Sequence, residues 1–347
     1  MLLALVTALP ANAVIPAAER AVLVSLYTNT GGANWTNTTA SNAAWTVSGA
    51  PGNECTWYGV VCNGTGDAVT ELNLAANNLS GALPTNLNAL TSLQYFRAQQ
   101  NALTGSLPSL SGLASLQYFD VRSNQLTGSL PALAGLTSLR VFAFEINAIS
   151  GPIPSLTGLS ALEVFWGNNN QLSGNIPALG GLAQLQIFLV NNNQLSGSLP
   201  SLSGLTLLRT FYVGFNQLTG SIPSLAGLSA LQQFRAENNQ LTGALPASSS
   251  LQVLYVRNNQ LSGTVPAAAP ALVASMSALC PNQLTVSSSA AWDTATGSSP
   301  WSTGCTAPLA AQTLSFGPAP SLYVGGSGSV TATVSPAPGS SAAIVYS

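Results

Sequence analysis

Two acidic residues, Asp120 and Glu145, have the types and the spacing that acid–base chemistry requires. The chain repeats about every 23 residues, and this period would place the two carboxyl groups on neighbouring coils. General acid–base catalysis needs one carboxyl group that holds a proton and another that accepts one. An arginine neighbours each of them in the repeat, and a guanidinium group lowers the pKa of a nearby carboxyl group and keeps it ionised. Two ionised carboxylates suit neither role, so the sequence predicts that the chain is not an enzyme.

The composition removes most other groups that could do chemistry. The 347 residues include no histidine, and the seven basic residues are all arginine. The commonest general base, the commonest metal ligand and every Schiff-base nucleophile are therefore missing, so we expect no cofactor and no metal. Charged residues make up 5% of the chain and the net charge is -2. Nucleic-acid binding needs a basic stripe, so the sequence predicts no nucleic-acid partner.

Four cysteines fall into two local pairs, Cys55 with Cys62 and Cys280 with Cys305. Four cysteines allow three connectivities, but the repeats between the pairs would hold the two ends far apart. Local disulfides are therefore predicted, the alternative being four buried free thiols. Disulfides persist in oxidising compartments, so the pairs favour a secreted or cell-surface protein.

The N-terminal segment 1–13 is apolar and ends in Ala11-Asn12-Ala13, a small-x-small sequence typical of a signal-peptidase site. It lacks the usual positively charged start, and a buried apolar segment is the alternative interpretation. Elsewhere the sequence has no run of about 18 apolar residues, so no membrane span is predicted.

One asparagine per repeat marks the period. Each is followed two residues later by Leu or Ile, and then by Ser/Thr-Gly-x-Leu/Ile/Val-Pro. A fixed period of this kind predicts a solenoid, whose coils bury their apolar faces only against one another. The inward amides are expected to bond backbone groups of their own coil and the next. Seven of these asparagines have identical spacing: Asn101, Asn124, Asn147, Asn170, Asn193, Asn216 and Asn239.

A second column holds one phenylalanine per coil. In the coil around Asp120, Phe119 and Val121 are predicted to point inward, while Tyr118, Asp120 and Arg122 alternate outward as on a strand. The column is predicted to be a buried spine that Leu254 closes. Its members are Phe96, Phe119, Phe142, Phe165, Phe188, Phe211 and Phe234.

The pattern Leu-x-x-Leu-x-Leu-x-x-Asn-x-Leu-Ser/Thr-Gly-x-Ile/Leu-Pro resembles the leucine-rich repeat, in the plant-type subclass of receptor ectodomains. The resemblance implies a leucine-rich repeat solenoid: a right-handed superhelix with a parallel concave β-sheet, a short 3-10 or irregular convex side and a helical N-terminal cap. Two departures are the inner repeats, one residue shorter than usual, and Phe in place of Leu in the spine.

The chain then divides into five predicted segments. The region after Cys280 and the tail are similar to exported bacterial repeat proteins and to the start of a bacterial Ig-like domain, rather than to the plant pattern. The N-terminal cap is expected to carry a helix from Ala21 to Tyr27. The segments are a signal peptide at 1–13, the cap with Cys55–Cys62 at 14–70, nine repeats at 71–266, a cap with Cys280–Cys305 at 267–308 and an incomplete Ig-like domain at 309–347.

Outward side chains of the predicted concave sheet supply the candidate binding site. Trp and Tyr are frequent hot-spot residues, and an apolar patch between charged ends favours contact with a partner. Neighbouring coils are predicted to pair Arg97 with Asp120, Arg122 with Glu145, and Glu237 with Arg257. The apolar patch comprises Val164, Trp166, Ile187, Leu189 and Tyr212, and its flanks hold Arg97, Arg235, Tyr255 and Arg257.

Together these features predict an exported, monomeric recognition or adhesion module that binds a protein or a glycan through its concave face. Two alternatives remain open: the charged pairs could be only a stabilising ladder, or the array could be a passive spacer in a larger surface protein.

Overall fold

The predicted leucine-rich repeat solenoid is confirmed. A computed structural model of the chain describes residues 14–37, 44–268, 271–285, 289–305, 314–316 and 332–334. The predicted signal peptide lies outside these residues. Of the predicted Ig-like tail, the structure describes two short antiparallel strands, Leu314–Phe316 and Ala332–Val334.

One strand from each coil enters a single concave sheet of 11 strands that follow one another in chain order. The first two strands are antiparallel and the rest are parallel, with Phe96 opposite Phe119 and Phe119 opposite Phe142. Because side chains alternate across a strand, this register aligns every inward and outward position into columns. The strands are Val60–Cys62, Val69–Asn73, Tyr95–Arg97, Tyr118–Asp120, Val141–Ala143, Val164–Trp166, Ile187–Leu189, Thr210–Tyr212, Gln233–Arg235, Val253–Tyr255 and Ser277–Ala278.

A second row of strands follows the asparagines. The glycine of each Ser/Thr-Gly pair has a positive φ, +73° at Gly128, which a residue with a side chain rarely adopts. These strands form parallel sheets of two, four and three strands. They are Ser80–Ala82 and Ala102–Thr104; Ser150–Pro152, Gln171–Asn175, Gln194–Ser198 and Gln217–Thr219; and Thr242–Gly243, Gln260–Thr264 and Gln283–Thr285.

Helices lie mainly in the two caps. The first runs over Ala17–Asn29 and so extends beyond the predicted Ala21 to Tyr27 at both ends. The second, Ala290–Thr296, begins after Ser289, whose hydroxyl accepts from the Trp292 N–H and so caps the helix. Single 3-10 turns occur at Gly32–Asn34, Glu54–Thr56 and Leu87–Ala89. None of the helices in the described part of the chain is long and apolar enough to cross a membrane.

The phenylalanine spine is fully buried, and its rings stack on one another from coil to coil. Phe96 and Phe119 lie 5.1 Å apart between ring centres, whereas Phe142 and Phe165 are 6.0 Å apart and tilted. Phe144 causes the wider gap, because its ring packs against both of the latter rings. It occupies space that Gly167 leaves open: a Cβ on Gly167 would lie 2.3 Å from the Phe144 ring.

The asparagine column is a hydrogen-bonded ladder. The Asn124 amide donates to the carbonyl oxygens of Ala98 at 3.0 Å, Val121 at 3.0 Å and Arg122 at 3.1 Å. Its Oδ1 accepts from the Leu103 N–H at 2.9 Å, so one side chain satisfies groups of two coils. The ladder continues past the predicted nine repeats to Asn282, which accepts from Leu261 and donates to Val256 and Leu279.

Both ends of the core are closed by a disulfide and by tryptophans. Cys55 is bonded to Cys62 and Cys280 to Cys305, with Cα–Cα distances of 5.5 and 4.9 Å. The predicted local pairs are therefore the ones present. The buried tryptophans are Trp35, Trp45 and Trp57 at the N-terminal end and Trp292 and Trp301 at the C-terminal end.

Candidate partner-binding surface

The central outward column of the concave sheet is closed at Asp120 and Ala143 and partly open from Trp166 towards the C-terminal end. Trp166, Leu189 and Tyr212 are half-buried, whereas Asp120 is 0% and Ala143 is 1% exposed. Val164 and Ile187, in the column beside them, are also half-buried. The predicted apolar patch therefore exists as one surface, but it is partly covered rather than fully exposed.

Arg122 covers the N-terminal end of this patch. Its guanidinium pairs with Asp120 at 2.8 Å and with Glu145 at 3.5 Å, and it lies 4.5 Å above the ring centre of Trp166. The Arg122–Glu145 pair was predicted, but the Arg97–Asp120 pair was wrong. Asp120 is bound instead by Arg122, two residues further along the chain, through two side-chain hydrogen bonds.

Arg97 is neutralised by a carboxylate on its N-terminal side, away from Asp120. It pairs with Glu71 of the preceding coil and lies between the rings of Tyr95 and Tyr118, at 5.0 and 4.8 Å from their centres. Both tyrosine faces and the carboxylate draw the guanidinium away from Asp120. In the N-terminal half of the face, Arg97 and Arg122 thus have carboxylate partners within the protein.

Arg235 in the C-terminal half has aromatic neighbours but no carboxylate partner among the described residues. Its guanidinium lies between Tyr212 and Tyr255, at 4.9 and 4.6 Å from the ring centres. Its Nε is buried without a hydrogen-bond partner. The two rings hold the cation in place, so a planar donor group is fixed on an otherwise weakly charged surface.

The predicted Glu237–Arg257 ion pair was wrong. Gly214 leaves a space in the column beside Glu237, and the carboxylate fills it: a Cβ on Gly214 would lie 2.9 Å from Glu237 Cδ. Glu237 is only 8% exposed and its Oε2 has no hydrogen-bond partner. Arg257 remains exposed, and no carboxylate of the described chain lies within ion-pair distance of it.

Burial raises the pKa of two acidic groups of this surface. Desolvation raises the pKa of Glu145, although Arg122 and the Asn168 amide act to lower it. Desolvation likewise raises the pKa of Glu237, against the lowering effect of Arg235 and Arg257. The expectation that a neighbouring arginine dominates was wrong for Glu145, because removal of the carboxylate from water is the larger effect.

Asp120 and Glu145 do come together, through the Arg122 guanidinium that lies between them. The arrangement can hold a charge in place and shape the floor of the face. It does not present two free carboxyl groups to a cleft. At one end of the face the charges are neutralised within the protein, and at the other end Arg235 and Arg257 have no carboxylate partner among the described residues.

Two residues beside this surface were missed by the sequence reasoning. Ile146 and Phe215 occupy the coil position immediately before the ladder asparagine, and 51% and 46% of their surfaces are exposed. In the other inner coils that position holds Gln, Ser or Asn. The signal was present in the sequence, because an apolar residue breaks an otherwise polar column.

Comparisons with known proteins also point to leucine-rich repeat proteins. The Leucine Rich Repeat family model matches residues 250–272. The receptor protein kinase WSS1 of rice (Oryza sativa subsp. japonica) is 53% identical over 60 residues, which are 17% of this chain and 7% of the kinase.

Two solved structures extend the similarity over most of the repeats. The ectodomain of the Arabidopsis thaliana receptor kinase GASSHO1/SCHENGEN3, in complex with CASPARIAN STRIP INTEGRITY FACTOR 2, is 30% identical with a TM-score of 0.63, covering 77% of this chain and 36% of that one. The plant peptide hormone receptor RGFR1, in complex with RGF2, is 29% identical with a TM-score of 0.52, covering 61% and 40%. The protein thus has the leucine-rich repeat fold of plant receptor ectodomains and spans well under half the length of these relatives.

Proposed function

We propose that this protein is an exported, non-enzymatic recognition module whose concave face binds a peptide or protein partner. The observation that carries the proposal is the C-terminal half of the central column. There Trp166, Leu189 and Tyr212 are accessible beside Arg235, which is fixed between two tyrosine rings and has no carboxylate partner in the described chain.

The chemistry of this half favours binding over self-stabilisation. Exposed ion pairs rarely contribute more than about 1 kcal/mol, and Arg235 and Arg257 form none with described residues. Tyr, Trp and Arg are the residues most enriched at binding hot spots, because they combine apolar area with a polar group. A partner that places apolar groups over Leu189 and an acidic group near Arg235 would match the surface.

The relatives support a peptide or protein rather than a glycan. The two receptor ectodomains with the fold of this chain were both solved in complex with a second molecule: CASPARIAN STRIP INTEGRITY FACTOR 2 in one case and, for the plant peptide hormone receptor RGFR1, RGF2. Export is supported by the two disulfides, which persist in oxidising compartments. A glycan partner and a passive spacer are the alternatives that the experiment separates.

The experiment uses the full chain as bait for a displayed library of random linear peptides and, in parallel, for a glycan array. A matched variant, Leu189→Glu, places a charge in the middle of the face without touching the phenylalanine spine. We expect peptides to be enriched on the native chain and lost on Leu189→Glu. Equal enrichment on both chains, or enrichment of glycans alone, would contradict a peptide-binding concave face.

A further inference from the structure

Gly214 leaves a gap in the outward column that contains Glu237, and the Glu237 side chain fills this gap. The two residues are neighbours on adjacent coils, each two positions beyond the paired residues Tyr212 and Arg235. A Cβ on Gly214 would lie 2.9 Å from Glu237 Cδ and 3.0 Å from its Oε2. Gly214 is not among the glycines with a positive φ, so its backbone conformation does not require glycine. The missing side chain is what makes room for the carboxyl group.

The gap suits a neutral carboxyl group better than a carboxylate. Glu237 is only 8% exposed, and its Oε2 has no hydrogen-bond partner in the described chain. Burial of an ionised carboxylate without a donor costs far more than burial of the neutral acid. Desolvation is accordingly the largest effect on the pKa of Glu237 and raises it above the ordinary value of 4.5. The position seen in the structure therefore favours the protonated side chain.

The solvent side of the same column favours the ionised form. Arg257 is the next residue of the column, one strand or about 4.8 Å further on. It is exposed and pairs with no carboxylate of the described residues. The other charged or titratable groups around Glu237 are Arg235 on its own strand, Tyr212 on the preceding strand and Tyr255 on the following one. Both arginines act to lower the pKa of Glu237, so a carboxylate on this side is stabilised.

Glu145 shows how a glutamate of this column behaves without a gap. It lies four coils before Glu237, and its neighbours in the column are Arg122 and Asn168, which both carry side chains. Its carboxylate remains on the outward side and pairs with Arg122 at 3.5 Å. Glu237 also has an arginine as a neighbour, but the neighbour on its other side is Gly214. The glycine thus gives Glu237 a second position that Glu145 lacks.

We propose that Glu237 is a two-position acidic switch: the protonated carboxyl group occupies the gap at Gly214, and the ionised carboxylate turns to the solvent side of the column beside Arg257. The change requires only rotation about the side-chain bonds of one residue. In acid the gap is filled and the charge of Arg257 is not offset. At higher pH the gap opens as a hollow in the concave face, and the carboxylate offsets that charge. The switch needs no ligand, so its test is independent of the proposed function.

The test follows Glu237 by nuclear magnetic resonance in the full chain, with isotope-labelled, protonated glutamate and glycine in a deuterated background. The chain has six glutamates, and the Glu237 signal is the one that Glu237→Gln removes. Gly214→Ala places a methyl group in the gap and forces the carboxyl group out at every pH. Arg257→Gln removes the cation on the solvent side. The matched controls are Asn191→Ala, one coil before Gly214 in the same column, and Arg209→Gln, another exposed arginine without a carboxylate partner among the described residues.

Glu237 of the native chain is expected to titrate above pH 4.5. The nuclear Overhauser effect between its side chain and the Gly214 α-protons is expected to disappear across the same transition. Gly214→Ala should bring the midpoint to 4.5 or below, Arg257→Gln should raise it, and the two controls should leave it unchanged.

An Overhauser effect that persists through the titration would show that the carboxyl group ionises in place, and it would overturn the proposal. A native midpoint at or below 4.5, or a midpoint that neither Gly214→Ala nor Arg257→Gln moves, would overturn it as well. The Overhauser effect in the native chain and the Arg257→Gln titration decide the question where Gly214→Ala does not fold.

Discussion

The guanidinium of Arg122 lies 4.5 Å above the ring centre of Trp166. The same guanidinium pairs with Asp120, whose side chain is 0% exposed, and with Glu145. One arginine thus neutralises a buried charge and holds the tryptophan that begins the open half of the face. The Arg122 side chain therefore contributes both to the stability of the fold and to the shape of the candidate site.

The first prediction concerns this arginine. Arg122→Ala leaves the fully buried Asp120 carboxylate without its cation, so unfolding free energy is expected to fall by about 3 kcal/mol. The control is Arg140→Ala, because Arg140 pairs with Glu163 on the surface at 2.8 Å and is 55% exposed. That change is expected to cost about 0.5 kcal/mol. Chemical denaturation measures both, and equal losses would contradict the account.

The second prediction concerns pH. Burial raises the pKa of Glu237 above its ordinary value of 4.5, so the folded protein holds this proton at a pH where the unfolded chain has lost it. The stability that protonation contributes is therefore present below pH 4.5 and is lost as the pH rises through the folded pKa. Glu237→Gln removes this dependence.

We accordingly expect Glu237→Gln to be more stable than the native chain at neutral pH, with the difference shrinking towards pH 4.5. The comparison between the two chains cancels the contributions of Glu19 and Glu145, whose pKa values burial also raises. Thermal unfolding across the pH range measures it. A Gln variant less stable at neutral pH would show that the buried carboxylate is favourable as an ion.

The third prediction concerns the ladder. Asn193 accepts from the Leu172 N–H at 2.9 Å and donates to the carbonyls of Gly167 and Val190, both at 3.1 Å. Asn193→Ala would leave several of these groups without partners, so a loss of about 3 kcal/mol is expected. Asn191→Ala, two residues away on the outward side, is expected to lose about 0.5 kcal/mol or less. Similar urea midpoints for the two variants would refute the ladder's structural role.

The repeat period was enough to predict the solenoid, the inward columns and the local disulfides, because burial fixes register wherever a face meets the core. Asn282 was within reach of the same reasoning: it follows Asn259 by one period and precedes Gln-Leu-Thr. The partners of the outward arginines were not predictable. The period places their Cα atoms, but a long flexible side chain can contact any carboxylate or ring within its reach. Arg97, for example, contacts Glu71 and two tyrosine rings.

The predicted direction of the Glu145 pKa shift was wrong for a related reason. Sequence spacing indicates which charges are close, but it does not give the depth of burial. For Glu145, burial is the larger effect and Arg122 the smaller one. Likewise, the positive φ of Ile146 and Phe215 is a backbone angle that only the structure supplies.

The most direct test of concave-face recognition is the affinity of an enriched peptide for Trp166→Ala and Tyr212→Ala, measured by isothermal titration calorimetry. Each is expected to lose about 2 kcal/mol, roughly a 30-fold increase in Kd. Both should keep the native circular dichroism spectrum, because neither side chain packs in the phenylalanine spine. Leu207→Ala is the control, since Leu207 is 41% exposed and lies outside the concave strands. Unchanged affinity after both aromatic replacements would contradict the central claim.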